Sequence, residues 1–202
     1  MHILKQTLKR LTDLRWLNLF EVEYEHISGK RGKWQFASRR QQPPLSTEPL
    51  KPDAVFIVPL LQTPHGQRLV MTKEYRVPLG DYEYSFPAGL KEADEDIETT
   101  VRRELAEETG LALTKIYATS PVLVTSAGLA DETVVIAFVG CQGTPHTRDL
   151  DGLEEIEIML LDFADVRRTC KSSLKMSSKA WLALMMFEAQ GRIGWPDEQE
   201  QP

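Results

Sequence analysis

The stretch from Gly89 to Leu111, GLKEADEDIETTVRRELAEETGL, constrains the fold more than any other part of the chain. Ile97, Val101 and Leu105 recur every fourth residue, forming one apolar helical stripe that needs a core to lie against. Glu104, Glu107 and Glu108 stand at i, i+3 and i+4, so their carboxylates are neighbours on an adjoining face. On an isolated helix each like-charge pair costs roughly 0.2–0.5 kcal/mol, and a helix with only a packing role gains nothing from that crowding. A solvated acidic face is the plain reading of such a run. Divalent cations reverse the sign of the interaction, because magnesium takes hard oxygen ligands and bridges them to phosphate oxygens. Arg103 precedes Glu107 by one helical turn and can hold a carboxylate in place. Asp96 suits the N-cap, and Gly110 suits the left-handed residue that ends a helix. The spacing therefore predicts a helix over 96–109.

Most of the surrounding pattern is strand. Ala54 to Leu61 is an apolar run fit for a buried strand, and Arg68 to Tyr75 reads as its neighbour across the Pro64-His65-Gly66 turn. Tyr82 to Phe86 is a third strand, stopped by Pro87-Ala88-Gly89, while Thr133 to Val139 and Glu155 to Leu161 add two more. One helix opens near Asp162, and another runs from Ser178 to Gln190 and ends at Gly191. Strands mixed with well-separated helices argue for an α/β or α+β sandwich, with helices on both faces of a mixed sheet.

Ahead of this, Ile3, Leu4, Leu8 and Leu11 recur at helical spacing and predict an amphipathic helix. Phe20, Val22 and Tyr24 then alternate with Glu21, Glu23 and Glu25, which is strand periodicity. Turn residues at Ser28 to Gly32 and a return strand from Lys33 to Ser38 complete a β-hairpin. Pro43, Pro44, Pro49 and Pro52 mark a linker. The expected organisation is an accessory helix-and-hairpin unit over 1–42, a linker over 43–53, the main domain over 54–196 and an acidic tail over 197–202.

With 24 basic and 30 acidic residues the formal charge is −6, which argues against a bulk nucleic-acid partner. A small anionic ligand remains compatible, screened by metal ions and local arginines. Cys141 and Cys170 form no close pair, so neither a disulfide nor a zinc site is expected. No run reaches the ~18 apolar residues of a membrane span. Lys9, Arg10, Asp13 and Arg15 interrupt any signal-peptide core. The expectation is a cytoplasmic enzyme with no membrane partner.

Gly89, Glu95, Arg103, Glu104, Glu107, Glu108 and Gly110, with aliphatic Leu105 and Leu111, match the pattern G-x5-E-x7-R-E-U-x-E-E-x-G-U at every specified position. At an average residue usage of about 7%, seven fixed residues coincide by chance less than about once in ten million positions. The chain thus resembles the Nudix hydrolase superfamily. Lys73-Glu74-Tyr75-Arg76, Tyr82-Glu83, Phe86-Pro87-Ala88-Gly89 and Ser126 to Glu132 resemble its ADP-ribose pyrophosphatase branch, which adds a small N-terminal sheet unit. Ala127 stands where that branch usually has proline, and Asp94, Thr100 and Val101 depart from common box residues away from the metal face.

The resemblance implies a Nudix-type α/β/α sandwich and an Mg2+-dependent pyrophosphohydrolase, with Mn2+ as the alternative ion. The implied substrate is a nucleoside diphosphate sugar, ADP-ribose or another ADP-sugar, cut to a nucleoside monophosphate and a sugar phosphate. GDP-mannose or a dinucleotide is the alternative within the superfamily, and a non-catalytic Nudix ligand sensor the alternative outside enzymes. Sensors tend to lose box glutamates, and none is missing here. By the same resemblance Glu104, Glu107, Glu108 and the Ala88 carbonyl are metal ligands, with Glu107 also counted as catalytic. Glu95 either reaches a metal through water or pairs with Arg103. Glu154 is the implied catalytic base, with Glu155 as the other candidate. Arg76 meets the diphosphate, Glu83 binds substrate or supports Arg76, and Glu132 takes the nucleoside side. A homodimer is expected, with the Leu19–Ser38 hairpin packed on the partner.

Overall fold

The computed structural model describes residues 3–45, 49–147 and 155–195. It divides into two compact units, Met1–Asp53 with Val122–Val134, and Ala54–Pro121 with Val135–Pro202. The segment Val122–Val134, read in the sequence as part of the larger domain, clusters with the smaller unit.

In the first unit, β1 (Ile3–Arg10), β2 (Asn18–His26) and β3 (Arg31–Ser38) form an antiparallel sheet in that order. The helix expected over the first residues is therefore wrong, because β1 is a strand. Apolar residues four apart satisfy helical and strand periods alike, so Leu4 and Leu8 do not discriminate between them. Pairing decides. The register sets Lys9 opposite Glu21 and Leu8 opposite Val22, matching charge to charge and apolar to apolar. Leu8 packs against the buried cluster of Phe20, Val22 and Phe36. The rings of Phe20 and Phe36 stack at 5.8 Å.

The second unit contains β4 (Ala54–Thr63), β5 (Gly66–Arg76), a 3-10 turn (Val77–Leu79), β6 (Asp81–Ser85) and β7 (Ala88–Leu90). Then come α1 (Ile97–Thr109) and β8 (Ala112–Thr119). The two-residue β9 (Leu123–Val124) belongs to the first unit, where it pairs with Thr133 and Val134 at the start of β10 (Thr133–Gln142). The chain then forms β11 (Ile156–Leu161), α2 (Phe163–Cys170) and α3 (Ser178–Gln190). The sheet runs β11-β5-β4-β10-β8, with β6 on β5 and β7 on β4.

Strand alternation gives this sheet two faces. On one, Val55, Ile57 and Leu61 of β4 and Val70 of β5 join Val101 and Leu105 of α1, together with Ala137, Val139 and Leu111, in a single core. On the other, Phe56 meets Phe86 edge-on at 5.9 Å, Lys179 of α3 lies over the Phe56 ring, and Phe138 meets Phe187 of α3. Helices thus cover both faces, as the sequence led us to expect. α1 begins where Asp96 accepts a 2.8 Å bond from the Thr99 amide. It ends at Gly110, whose φ of 67° lies in the left-handed region.

Candidate active site

With its apolar stripe turned to the core, α1 holds Glu104 and Glu108 at the edge of the buried interior, each 9% exposed. Carboxylates so placed need partners, since desolvating a charge is costly. Arg103 supplies one to Glu104 and binds the neighbouring Glu95 and Glu107 as well. Its Nε donates to Glu95 Oε1 at 2.8 Å, and Nη2 donates to Glu95 Oε2 at 2.9 Å and to the Leu90 carbonyl at 3.0 Å. Nη1 donates to Glu104 Oε1 at 2.7 Å and to Glu107 Oε2 at 3.1 Å. Those five bonds use all five N–H donors of a guanidinium. Of the two roles implied for Glu95, this geometry displays the pairing with Arg103.

Glu108 approaches the strand before the helix, where its Oε2 accepts the Ala88 amide at 3.3 Å. The neighbouring Gly89 explains itself by what lies above it. A Cβ built there would stand 1.9 Å from the Glu104 carboxyl carbon. The Glu104 side chain occupies the space that any other residue at position 89 would fill.

The Arg103 guanidinium, more than any other contact, holds the Glu95 carboxyl down to about 2 from its ordinary 4.5. Partial burial opposes the shift, while the Glu92 amide and the Thr100 hydroxyl reinforce it. Glu95, and after it Glu104, in turn raise Arg103 above its normal range. A carboxyl depressed in the folded state stabilises the fold above its unfolded value, and that contribution is lost as pH falls through the folded value. In chelator, the melting-temperature gap between wild type and Glu95→Gln should be constant above pH 4.5 and narrow as pH falls to about 2. A gap unchanged down to pH 2 contradicts the pairing.

Arg76 lies at the end of β5, on the face that packs α1. Its Nη1 donates to Glu74 Oε1 at 2.6 Å, and its Nε donates to Glu83 Oε2 at 3.2 Å. Of the two roles implied for Glu83, support of Arg76 is the one seen. Glu74, to which sequence reasoning assigned nothing, is the closer partner. The signal was present, since alternation puts residues 74 and 76 on one face. Glu155 lies on the opposite face, where its carboxylate accepts the Tyr82 hydroxyl while its carbonyl accepts the Tyr75 amide at 3.3 Å. Glu154 falls outside the described residues.

Residues 50–181 match the model of the NUDIX domain. The chain belongs to the Nudix family. It is 29% identical over 153 residues to putative nudix hydrolase 2 of Caenorhabditis elegans, covering 73% of this chain and 67% of that one. It is 30% identical over 134 residues to the ADP-sugar pyrophosphatase of Mus musculus, covering 66% of this chain but 59% of the mouse protein's length. The ADP-ribose pyrophosphatase of Bacillus subtilis is 34% identical over 125 residues, covering 60% of this chain and 65% of the bacterial one. A crystal structure of an ADP compounds hydrolase superposes with a TM-score of 0.72 at 20% identity, over 95% of this chain and 96% of that one. The Nudix-type sandwich expected from the sequence is thereby established.

Glu132 belongs to the first unit, where Arg39 Nε approaches it to 3.5 Å and the Thr125 amide donates to its carbonyl at 3.1 Å. Arg39 is another residue that sequence reasoning passed over. The loop that carries Glu132 is tied to β3, since the Ala37 amide donates to the Leu129 carbonyl at 2.8 Å. At the far end of α1, a Cβ on Gly110 would stand 2.6 Å from the ring of His146. The His146 amide donates to the Thr109 carbonyl at 2.9 Å, so this imidazole closes over the box's last glycine.

Proposed function

We propose that this Nudix protein hydrolyses the pyrophosphate bond of a nucleoside diphosphate sugar, ADP-ribose or another ADP-sugar, with magnesium, giving a nucleoside monophosphate and a sugar phosphate. One observation carries the reading: the box carboxylates Glu104, Glu107 and Glu108 lie together on α1, with Glu95 just ahead of the helix and Arg103 joining three of the four. Arg103 pairs with Glu95, Glu104 and Glu107, while Glu108 accepts the Ala88 amide beside them. The donor set is all oxygen, the chemistry a hard divalent cation prefers. Among the described residues no three acidic, histidine or cysteine side chains already converge on one point. Glu104 and Glu107 are turned onto Arg103 instead.

Glu104, Glu107, Glu108 and the Ala88 carbonyl would hold the ion. When bound, the cation supplies charge neutralisation for the diphosphate and a water of lowered pKa. Arg103 keeps Glu104 and Glu107 in place against the crowding on their helix. Arg76 forks onto phosphate oxygens, which a planar guanidinium does better than an ammonium. Glu154 is our candidate for the group that orients the attacking water. The names of the mouse and bacterial relatives support an ADP-linked substrate. Ala127, lacking the ring that fixes a proline's φ, suits a broader range of nucleotide sugars. Specificity constants measured side by side for ADP-ribose, ADP-glucose, GDP-mannose and a diadenosine polyphosphate test the choice. A tenfold preference for GDP-mannose would sink the ADP-sugar assignment and leave the Nudix mechanism standing.

The working form is a homodimer. In the β2–β3 hairpin Leu19, Ile27 and Trp34 are exposed, as are Leu14, Trp16 and Leu17 in the preceding connection. Apolar surface of that kind marks an interaction site more often than a bare exterior. Light scattering at micromolar concentration is expected to give the mass of two chains, and a monomer contradicts this.

A further inference from the structure

In the antiparallel pairing of β5 with β6, Glu74 and Glu83 stand directly opposite each other. Like charges in that relation destabilise a sheet. Neither carboxylate escapes into solvent, since their side chains are 12% and 24% exposed. What reconciles them is Arg76, two residues along β5 on the same face, with a bond to each at 2.6 and 3.2 Å. One partner would satisfy an arginine whose side chain is 42% exposed. Two carboxylates gripping different nitrogens do more, because they fix the plane of the guanidinium. The bond to Glu83 uses Nε, and the bond to Glu74 uses one hydrogen of Nη1. Nη2 and the second Nη1 hydrogen have no further partner among the described residues, and one N–H from each nitrogen can meet a phosphate bidentately.

We infer that Glu74 is a positioning residue for substrate: with Glu83 it clamps Arg76 so that the free edge of the guanidinium is presented to the diphosphate. The inference rests on the proposed diphosphate role of Arg76 and deepens it. Glu74 itself touches no substrate. Its contribution is preorganisation, which raises affinity by removing freedom the arginine would otherwise lose on binding.

Simple electrostatics predicts the opposite sign. Glu74→Gln removes a negative charge beside an anion site, so a background role would leave binding unchanged or strengthen it. The clamp predicts weaker binding. A diphosphate that arrives with its cation carries little net charge, so relief of repulsion is small and loss of orientation dominates.

The test measures binding of α,β-methylene-ADP in magnesium by titration calorimetry, together with melting temperature, for wild type, Glu74→Gln, Arg76→Gln and the double variant. Glu74→Gln is expected to weaken binding by about tenfold, the scale of one hydrogen bond to a charged group. Its melting temperature should be unchanged or higher, because a like-charge pair has been relieved. Arg76→Gln should weaken binding at least as much, and in that background Glu74→Gln should add nothing. Wild-type or tighter binding by Glu74→Gln, with Arg76→Gln impaired, overturns the clamp alone. So does an equal loss from Glu74→Gln in both backgrounds. Unimpaired binding by Arg76→Gln overturns the clamp together with the role of Arg76 on which it stands.

Discussion

Glu104→Gln and Glu108→Gln are each expected to lower turnover of ADP-ribose in magnesium by roughly two to three orders of magnitude, the scale on which one preorganised electrostatic group is felt in an active site. Glutamine keeps the size of glutamate and one carbonyl oxygen, so what disappears is charge. Both side chains sit at the margin of the core, where they tolerate a neutral amide at least as well as a carboxylate. The apolar stripe Ile97-Val101-Leu105 is untouched, and removing one of several like charges relaxes the helix. The variants should therefore melt near or above the wild type in circular dichroism. Glu107→Gln should be milder, since that side chain is 49% exposed. Near-normal turnover in both buried variants contradicts the assignment of the ligands.

The second large effect belongs to a residue without a side chain. Gly89→Ala places a methyl 1.9 Å from the Glu104 carboxyl carbon and 1.9 Å from its Oε1, a separation no real pair of atoms adopts. The obstructing atoms are the end of a flexible side chain, so the carboxylate swings aside and the strand keeps its course. The fold loses little, about 1–3 kcal/mol as for other overpacked sites. Function should lose much more, because Glu104 leaves its place and drops its 2.7 Å bond to Arg103. Turnover close to that of Glu104→Gln, with a melting temperature only a few degrees lower, is the expected pair of readings. Wild-type turnover in Gly89→Ala shows that Glu104 works from another position.

Reading α1 from the sequence succeeded because its signals were local and redundant. A stripe at one period, Asp96 in front and Gly110 behind all pointed to one helix, and both caps are formed. The box spacing carried the family. β1 was misread because Leu4 and Leu8 fit either period, and what fixed it as a strand was pairing with the acidic strand β2, an interaction between segments. The short β7 and β9 follow from pairing rather than from their own pattern. Glu74 was overlooked for a different reason. The sequence links Arg76 to Glu83 alone, whereas the β5–β6 register sets Glu74 opposite Glu83 and so brings both carboxylates to the one arginine.

Gly110 is held by two demands that arise far apart in the chain. Its left-handed backbone strains any residue with a Cβ, and the His146 ring fills the space a Cβ would take. Shrinking residue 146 would lift the second demand but not the first, so no single compensating change frees position 110. Drift in this lineage is therefore asymmetric. Residue 146 can vary while the glycine stays, and the glycine cannot vary first. Among descendants of a common ancestor, substitutions at 146 should be found over an unchanged Gly110, with the reverse order absent.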